Sequence, residues 1–230
     1  MVIIFKMNLL RQTLKDINNS KKINLVLTGG TSPLKFYHQL FKQKIDWKKV
    51  NLFLKDERLV NIYSKDSNYK NINYILRKNK LFNKLKPLNK NSTKKKNVKF
   101  INNSLKKYKT VCFLGLGYDG HFASIFNNSK KYEELIDLKK KPNILITDKV
   151  GKPLVKRATM NLSMLNCSSK FYLILNNKKK VNLFEEILNS KNIKMYPILN
   201  LINLAKDRIS IFDGSNVKKL KEFLKNVDKL

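Results

Sequence analysis

Acidic residues are what this sequence has least of in proportion: 16 Asp and Glu stand against 49 Lys and Arg, a formal net charge of +33. Arginine is scarce too, because only Arg11, Arg58, Arg77, Arg157 and Arg208 interrupt a basic set that is otherwise lysine. The two cysteines, Cys112 and Cys167, form no CxxC pair, and Cys112 falls inside an apolar run, so neither a disulfide framework nor a zinc site is indicated. No apolar stretch approaches the roughly 18 residues of a membrane span, and the opening MVIIFKM is too short and wrongly flanked for a signal peptide. These shortages point to a soluble protein of a reducing cytoplasm, with no membrane association.

What is present is enough apolar residue, 42% of 230, to build one substantial core, read here as a single domain over residues 1–230. The lysines are scattered through nearly every segment beside many asparagines and isoleucines. Runs such as 94–96, 139–141 and 178–180 therefore read as solvated surface rather than a stripe for specific nucleic-acid contact. The few arginines differ. Their planar fork grips phosphate or carboxylate in two-pronged fashion, which makes them the better candidates for geometric work.

Short apolar runs without polar alternation read as strands covered on both faces: INLVLT (23–28), VNLFL (50–54), VCFLG (111–115), NILIT (143–147), FYLIL (171–175) and ISIF (209–212). Between them lie helical repeats at Met7, Leu10, Leu14 and Ile17, at Val181, Phe184 and Leu188, and at Val217, Leu220, Leu224 and Val227. The alternation predicts an α/β fold, a Rossmann-like, mostly parallel sheet with helices on both faces, whose ligands bind beyond the carboxyl ends of the strands. Residues 79–99, rich in lysine and asparagine, read as a long solvated connection or frayed helix.

Three stretches gather chemistry at predicted strand ends. In LVLTGGTSP (25–33) a strand runs into Gly29, Gly30 and Thr31; Ser32 is placed to cap a helix beginning at Pro33, and the exposed N–H groups suit an anionic or oxygen-rich ligand. In FLKDERLV (53–60) Asp56, Glu57 and Arg58 either pair on the surface or line the crevice, with Arg58 favoured for the site. Ser67 and Asn68 then open a helix. In VCFLGLGYDGHFASIF (111–126) a glycine-rich turn carries Asp119 and His121 to the end of a central strand, ahead of a short helical piece at 123–126. His121 is one of only two histidines, the other being His38 in a predicted helix.

The ordered set TGGTSP, DERLV, DSN, GLGYDGHFASIF and RATMNLSML resembles the 6-phosphogluconolactonases, in the superfamily shared with glucosamine-6-phosphate deaminase. The deaminases normally follow the Asp-Gly-His triplet with Ile-Ala-Phe-Asn-Glu. This chain continues Phe122-Ala123-Ser124-Ile125-Phe126 and sides with the lactonases. The resemblance implies hydrolysis of a sugar-phosphate lactone without metal or cofactor, with His121 as general base for water. Asp119 then orients the imidazole or binds a sugar hydroxyl. Gly29, Gly30 and Thr31 offer N–H groups to the substrate oxygens, and Asp56 joins the binding set. Arg58 and Arg157 are implied as the phosphate grip, with Lys179 as the best match to the family's lysine.

Overall fold

The structure, a computed structural model, describes Ile3, Ile4 and residues 8–213. Met7 and the helical repeat at Val217, Leu220, Leu224 and Val227 lie outside the described residues. In chain order the strands are β1 (Ile3–Ile4), β2 (Ile23–Leu27), β3 (Val50–Leu54), β4 (Asp56–Arg58), β5 (Lys109–Gly115), β6 (Ile144–Ile146), β7 (Arg157–Met160), β8 (Lys170–Leu175) and β9 (Ile209–Asp213). The α-helices are α1 (Leu9–Asn18), α2 (Leu34–Phe41), α3 (Asn68–Lys78), α4 (Lys95–Lys107), α5 (Tyr132–Ile136), α6 (Leu162–Leu165), α7 (Lys178–Ser190) and α8 (Ile198–Leu204).

Six strands, all parallel, form the main sheet in the order β1-β9-β8-β5-β2-β3. The non-alternating runs occupy its middle: every residue of β2 is buried, as are Thr110 to Leu114 of β5 and Phe171 to Leu175 of β8. Continuous burial of this kind requires cover on both faces, and flanking helices provide it. At the edge, β3 alternates, with Asn51 and Phe53 less buried than their neighbours. Helix α7 buries Val181, Phe184, Ile187 and Leu188, a single stripe at helical spacing.

One apolar core runs through the described residues, centred on rings from both sheet and helices. Phe113 of β5 lies 5.1 Å from Phe36 and 5.8 Å from Tyr172, centroid to centroid. At the amino ends of β5 and β8, Asp16 of α1 accepts from Lys109 Nζ and Lys170 Nζ, both at 2.8 Å, and from the Tyr172 hydroxyl. Burial opposes ionisation of Asp16, but the two ammonium groups and the hydroxyl outweigh it and hold its carboxyl below the ordinary value.

Two expectations need correction. NILIT does not join the parallel sheet: its core becomes β6, which pairs antiparallel with β7 in a second sheet ordered β4-β7-β6. DER and RATM supply the other two strands of that sheet, β4 and β7. Residues 79–99 are not simply a solvated connection, since Leu85 and Leu88 enter the core, Leu85 bridges Leu52, and α4 already begins at Lys95. Two buried apolar side chains were enough to anchor a segment whose composition is that of a loop.

Strand order also fixes where a crevice forms. From β2 the chain pairs β3 on one side and β5 on the other, so the connections leaving β2 and β5 diverge and a gap opens above their carboxyl ends.

Candidate active site

A cleft of about 190 Å³ fills that gap. Its walls are the turn after β2 (Thr28 to Ser32), the β3–β4 junction (Lys55, Asp56, Arg58), the turn after β5 (Gly115 to Gly117, His121, Ala123, Ser124), Asn68, Arg157 and Lys180. A larger groove of about 720 Å³ runs along β3 and α4, but its lining holds no Asp, Glu, His or Cys and none of the predicted site residues. Chemistry therefore assigns the smaller cleft.

The turn after β2 is pinned from below by the fully buried Tyr37, whose hydroxyl accepts from Thr28 N at 2.9 Å and donates to Thr28 O at 3.0 Å. Beyond that point the N–H groups of Gly29, Gly30 and Thr31 donate to no acceptor among the described residues. Ser32 does not cap α2, which begins after Pro33 without a side-chain cap. Its hydroxyl instead accepts from Lys180 Nζ at 2.8 Å and donates to Asn176 Oδ1 at 3.1 Å.

The turn after β5 is not the expected short helix. Ala123 and Ser124 both adopt left-handed backbone, φ +49° and +55°, closed by a bridge between Phe122 and Ile125. Non-glycine residues resist this conformation, so it persists only where neighbours enforce it. Ser124 Oγ donates to Asp56 Oδ2 at 2.6 Å, and the Thr159 hydroxyl donates to Ala123 O. His121 stacks on Phe126, centroids 4.0 Å apart, and its Nδ1 bonds Asp119 Oδ1. With Nδ1–H directed to a carboxylate, Nε2 is the nitrogen left to accept a proton. Burial works against the Asp119 charge, yet the bond and charge of His121 hold its carboxyl below the ordinary value. Gly117 makes the pair possible, since a Cβ there would lie 2.6 Å from Asp119 Oδ1 and closer still to His121 Nδ1.

Arg58 and Arg157 are direct partners across β4 and β7, so two guanidinium groups leave adjacent strands on one face. Like charges opposite one another destabilise a strand pair unless an anion comes between them. No carboxylate pairs with either among the described residues. Arg58 Nη1 donates to Asp66 O and Asn68 Oδ1, and the buried Arg157 donates to Val150 O and Pro153 O. Burial, and then the charge of Arg58, lower the Arg157 pKa. Lys180, also without a carboxylate partner, sits 5.4 Å over the Tyr118 ring, its pKa lowered by burial.

The cleft brings together Gly29, Gly30, Thr31, Asp56, Arg58, His121 and Arg157. Asp119 is outside the lining, with its side chain 58% exposed and bonded to His121. Both Asp56 oxygens are already engaged, by Lys55 and Ser124. Lys179 is exposed on the first turn of α7, and Lys180, one residue or about 100° further round the helix, lines the cleft together with Lys55. Glu57 proves structural, its carboxylate accepting from the N–H groups of Arg58, Asn68 and Tyr69 at 2.6–2.7 Å, which caps α3. Lys55 and Ser124 escaped sequence reasoning. Nothing marks one buried lysine among so many exposed ones. Among the described residues no three His, Cys, Asp or Glu side chains gather closely enough to hold a metal ion.

The family model described as glucosamine-6-phosphate isomerases/6-phosphogluconolactonase matches residues 5–210. The chain belongs to this family. It is 32% identical over 199 residues to the 6-phosphogluconolactonase of Thermotoga maritima, covering 79% of this chain and 82% of that protein. It is 30% identical to that of Neisseria meningitidis, with 78% and 79% covered. Among solved structures, a 6-phosphogluconolactonase from Shewanella baltica superposes with a TM-score of 0.74 at 26% identity, covering 90% of this chain and 93% of that one. One from Plasmodium vivax, at 23% identity and a TM-score of 0.73, shares the fold. In this chain the TGGTSP, DERLV and GLGYDGHFASIF stretches converge on the strand-end cleft rather than on the larger groove.

Proposed function

We propose that the protein hydrolyses 6-phospho-D-glucono-1,5-lactone to 6-phosphogluconate, a pentose phosphate pathway step, acting as one domain in the cytoplasm. The observation that carries this reading is one cleft holding a carboxylate-buttressed imidazole, three unengaged backbone N–H groups and three cations without carboxylate partners. In this reading His121 Nε2 takes a proton from water, and the hydroxide oxygen adds to the lactone carbonyl carbon. Charge developing on the carbonyl oxygen meets the N–H groups of Gly29, Gly30 and Thr31. The bond to the ring oxygen then breaks, and that oxygen receives the proton from the imidazolium. Asp119 orients the ring and stabilises its charged form, while Arg58, Arg157 and Lys180 grip the distant phosphate. The absence of Asn-Glu after His121, together with relatives named as lactonases, supports this over amino-sugar deamination.

Acid release from freshly prepared lactone, followed with a pH indicator, tests the proposal. The purified protein should exceed the spontaneous rate, and His121→Asn should lose about 10²- to 10⁴-fold in turnover with its circular dichroism unchanged. No acceleration by the wild type, or full turnover by His121→Asn, would refute it.

A further inference from the structure

Lys55 is 2% exposed, at the junction where the chain leaves the main sheet for the second one. Its N–H donates to Leu27 O, and its carbonyl accepts from Met160 N, so its backbone is fixed from both sheets. Its ammonium donates to Thr28 Oγ1 at 2.6 Å and to Asp56 Oδ1 at 2.9 Å. From Asp56 the chain of contacts continues through Oδ2 to Ser124, the second of the two left-handed residues that follow His121 and Phe122. A single polar line, Thr28–Lys55–Asp56–Ser124, thus passes beneath the cleft and ties all three strand-end turns together.

We propose that Lys55 is a positioning residue for His121: its buried ammonium balances the Asp56 carboxylate, and that carboxylate holds the left-handed turn that sets the imidazole in the cleft. The inference rests on the reading of His121 as the base. Burial alone would disfavour the Asp56 charge, and the Lys55 ammonium is the foremost of the groups that overcome this, with Ser124 and Arg58 after it. Arg157 also feels this carboxylate, as do Glu57, Tyr37 and Cys112 from the neighbouring elements. A buried carboxylate stripped of its nearest cation takes up a proton rather than remain charged. Ser124 then loses its charge-assisted acceptor, and the turn, unfavourable for Ala and Ser on its own, relaxes.

Lys55→Met removes the charge while preserving the apolar stem. The chain has only two histidines, so the His121 imidazole signal is identified in the proton NMR spectrum by its loss in His121→Asn. Wherever Asp56 of Lys55→Met has taken up a proton, that signal should lie away from its wild-type position at the same pH and rejoin it at higher pH, while the His38 signal matches wild type at every pH, because a buried carboxyl that has lost its nearest cation holds a proton to higher pH. The pH profile of kcat should gain an added ionisation on its acid limb, falling about tenfold further for each pH unit below the raised Asp56 pKa. Lys55→Met/Asp56→Asn, whose neutral amide needs no cation, should turn over no more slowly than Asp56→Asn alone. An unmoved His121 signal, a kcat profile identical to wild type, or a double variant showing both losses in full would each overturn the proposal. If Lys55→Met fails to fold, the comparison of the double variant with Asp56→Asn decides alone. The NMR readout uses no activity, so a wild type without lactonase activity refutes the proposed function while leaving the effect of Lys55 on His121 to be judged separately.

Discussion

Gly117→Ala is the sharpest probe of the His121 geometry. The added methyl would sit 2.6 Å from Asp119 Oδ1 and nearer still to His121 Nδ1 and Cε1, whereas non-bonded heavy atoms rest about 3.5–4.0 Å apart. The imidazole and its carboxylate must therefore retreat by about 1 Å, since Gly117 N is itself bonded to His121 O at 2.9 Å and its backbone has little room to move. A displacement of about 1 Å at a reacting group costs on the order of 10²-fold in turnover. Gly117 does not need a left-handed backbone, so the loss comes from the collision and not from alanine's own conformational limits. Gly115→Ala is the matched control two residues away: its methyl would meet only Thr28 Oγ1, at an ordinary 3.7 Å. Steady-state lactone hydrolysis should show kcat reduced about 100-fold in Gly117→Ala and within a few-fold of wild type in Gly115→Ala, with similar melting temperatures. Equal effects at the two glycines, or none at Gly117, would refute the argument that His121 and Asp119 occupy the space a Cβ would take.

Calorimetry with 6-phosphogluconate should show Arg58→Ala, Arg157→Ala and Lys180→Ala each weakening binding by about 1.5–3 kcal/mol, and Lys179→Ala leaving it unchanged, if charge-assisted bonds to the phosphate are lost. Asp56, held down at about 2 against an ordinary 3.8, lends stability that is complete above about pH 4 and disappears as pH falls through 2, roughly 2 kcal/mol in all. Urea melts of wild type and Asp56→Asn should accordingly converge between pH 5 and about 2, and a constant gap would refute that linkage. The +33 charge should produce only sequence-independent nucleic-acid binding that falls steeply between roughly 50 and 200 mM salt; sequence-selective binding at physiological salt would show a purpose in the lysines that their scatter does not suggest.

Composition and pattern were sufficient for the parallel sheet. Unbroken apolar runs such as VCFLG and FYLIL have no way to bury both faces except in the middle of a covered sheet, and they became β5 and β8 within two residues of their expected bounds. The same logic located the cleft, because glycine turns directly after such runs can lie only at strand ends. His121 and the TGG turn were legible for that reason, Arg58 as one of few arginines at a strand end, and Arg157 through the resemblance of its RATMNLSML segment.

Tertiary structure decided what depends on long-range partners. An apolar triplet such as Ile144–Ile146 carries no record of whether its neighbour runs parallel or antiparallel, and only its pairing with β7 assigns it to the second sheet. The choice of Lys180 over Lys179 is a matter of helix rotation, set by the burial of Val181 and Phe184 on the core face of α7. Lys55 is the clearest case. Its sequence neighbours are those of an ordinary strand end, and its chemical character comes from Thr28 and Asp56 closing around an ammonium that 43 other lysines, the 49 basic residues less five arginines and Lys55 itself, leave indistinguishable in sequence. Periodicity reports which face of an element is apolar, a local property. The charge balance of a buried site is fixed by groups that the chain brings together from separate strands, and no local pattern encodes it.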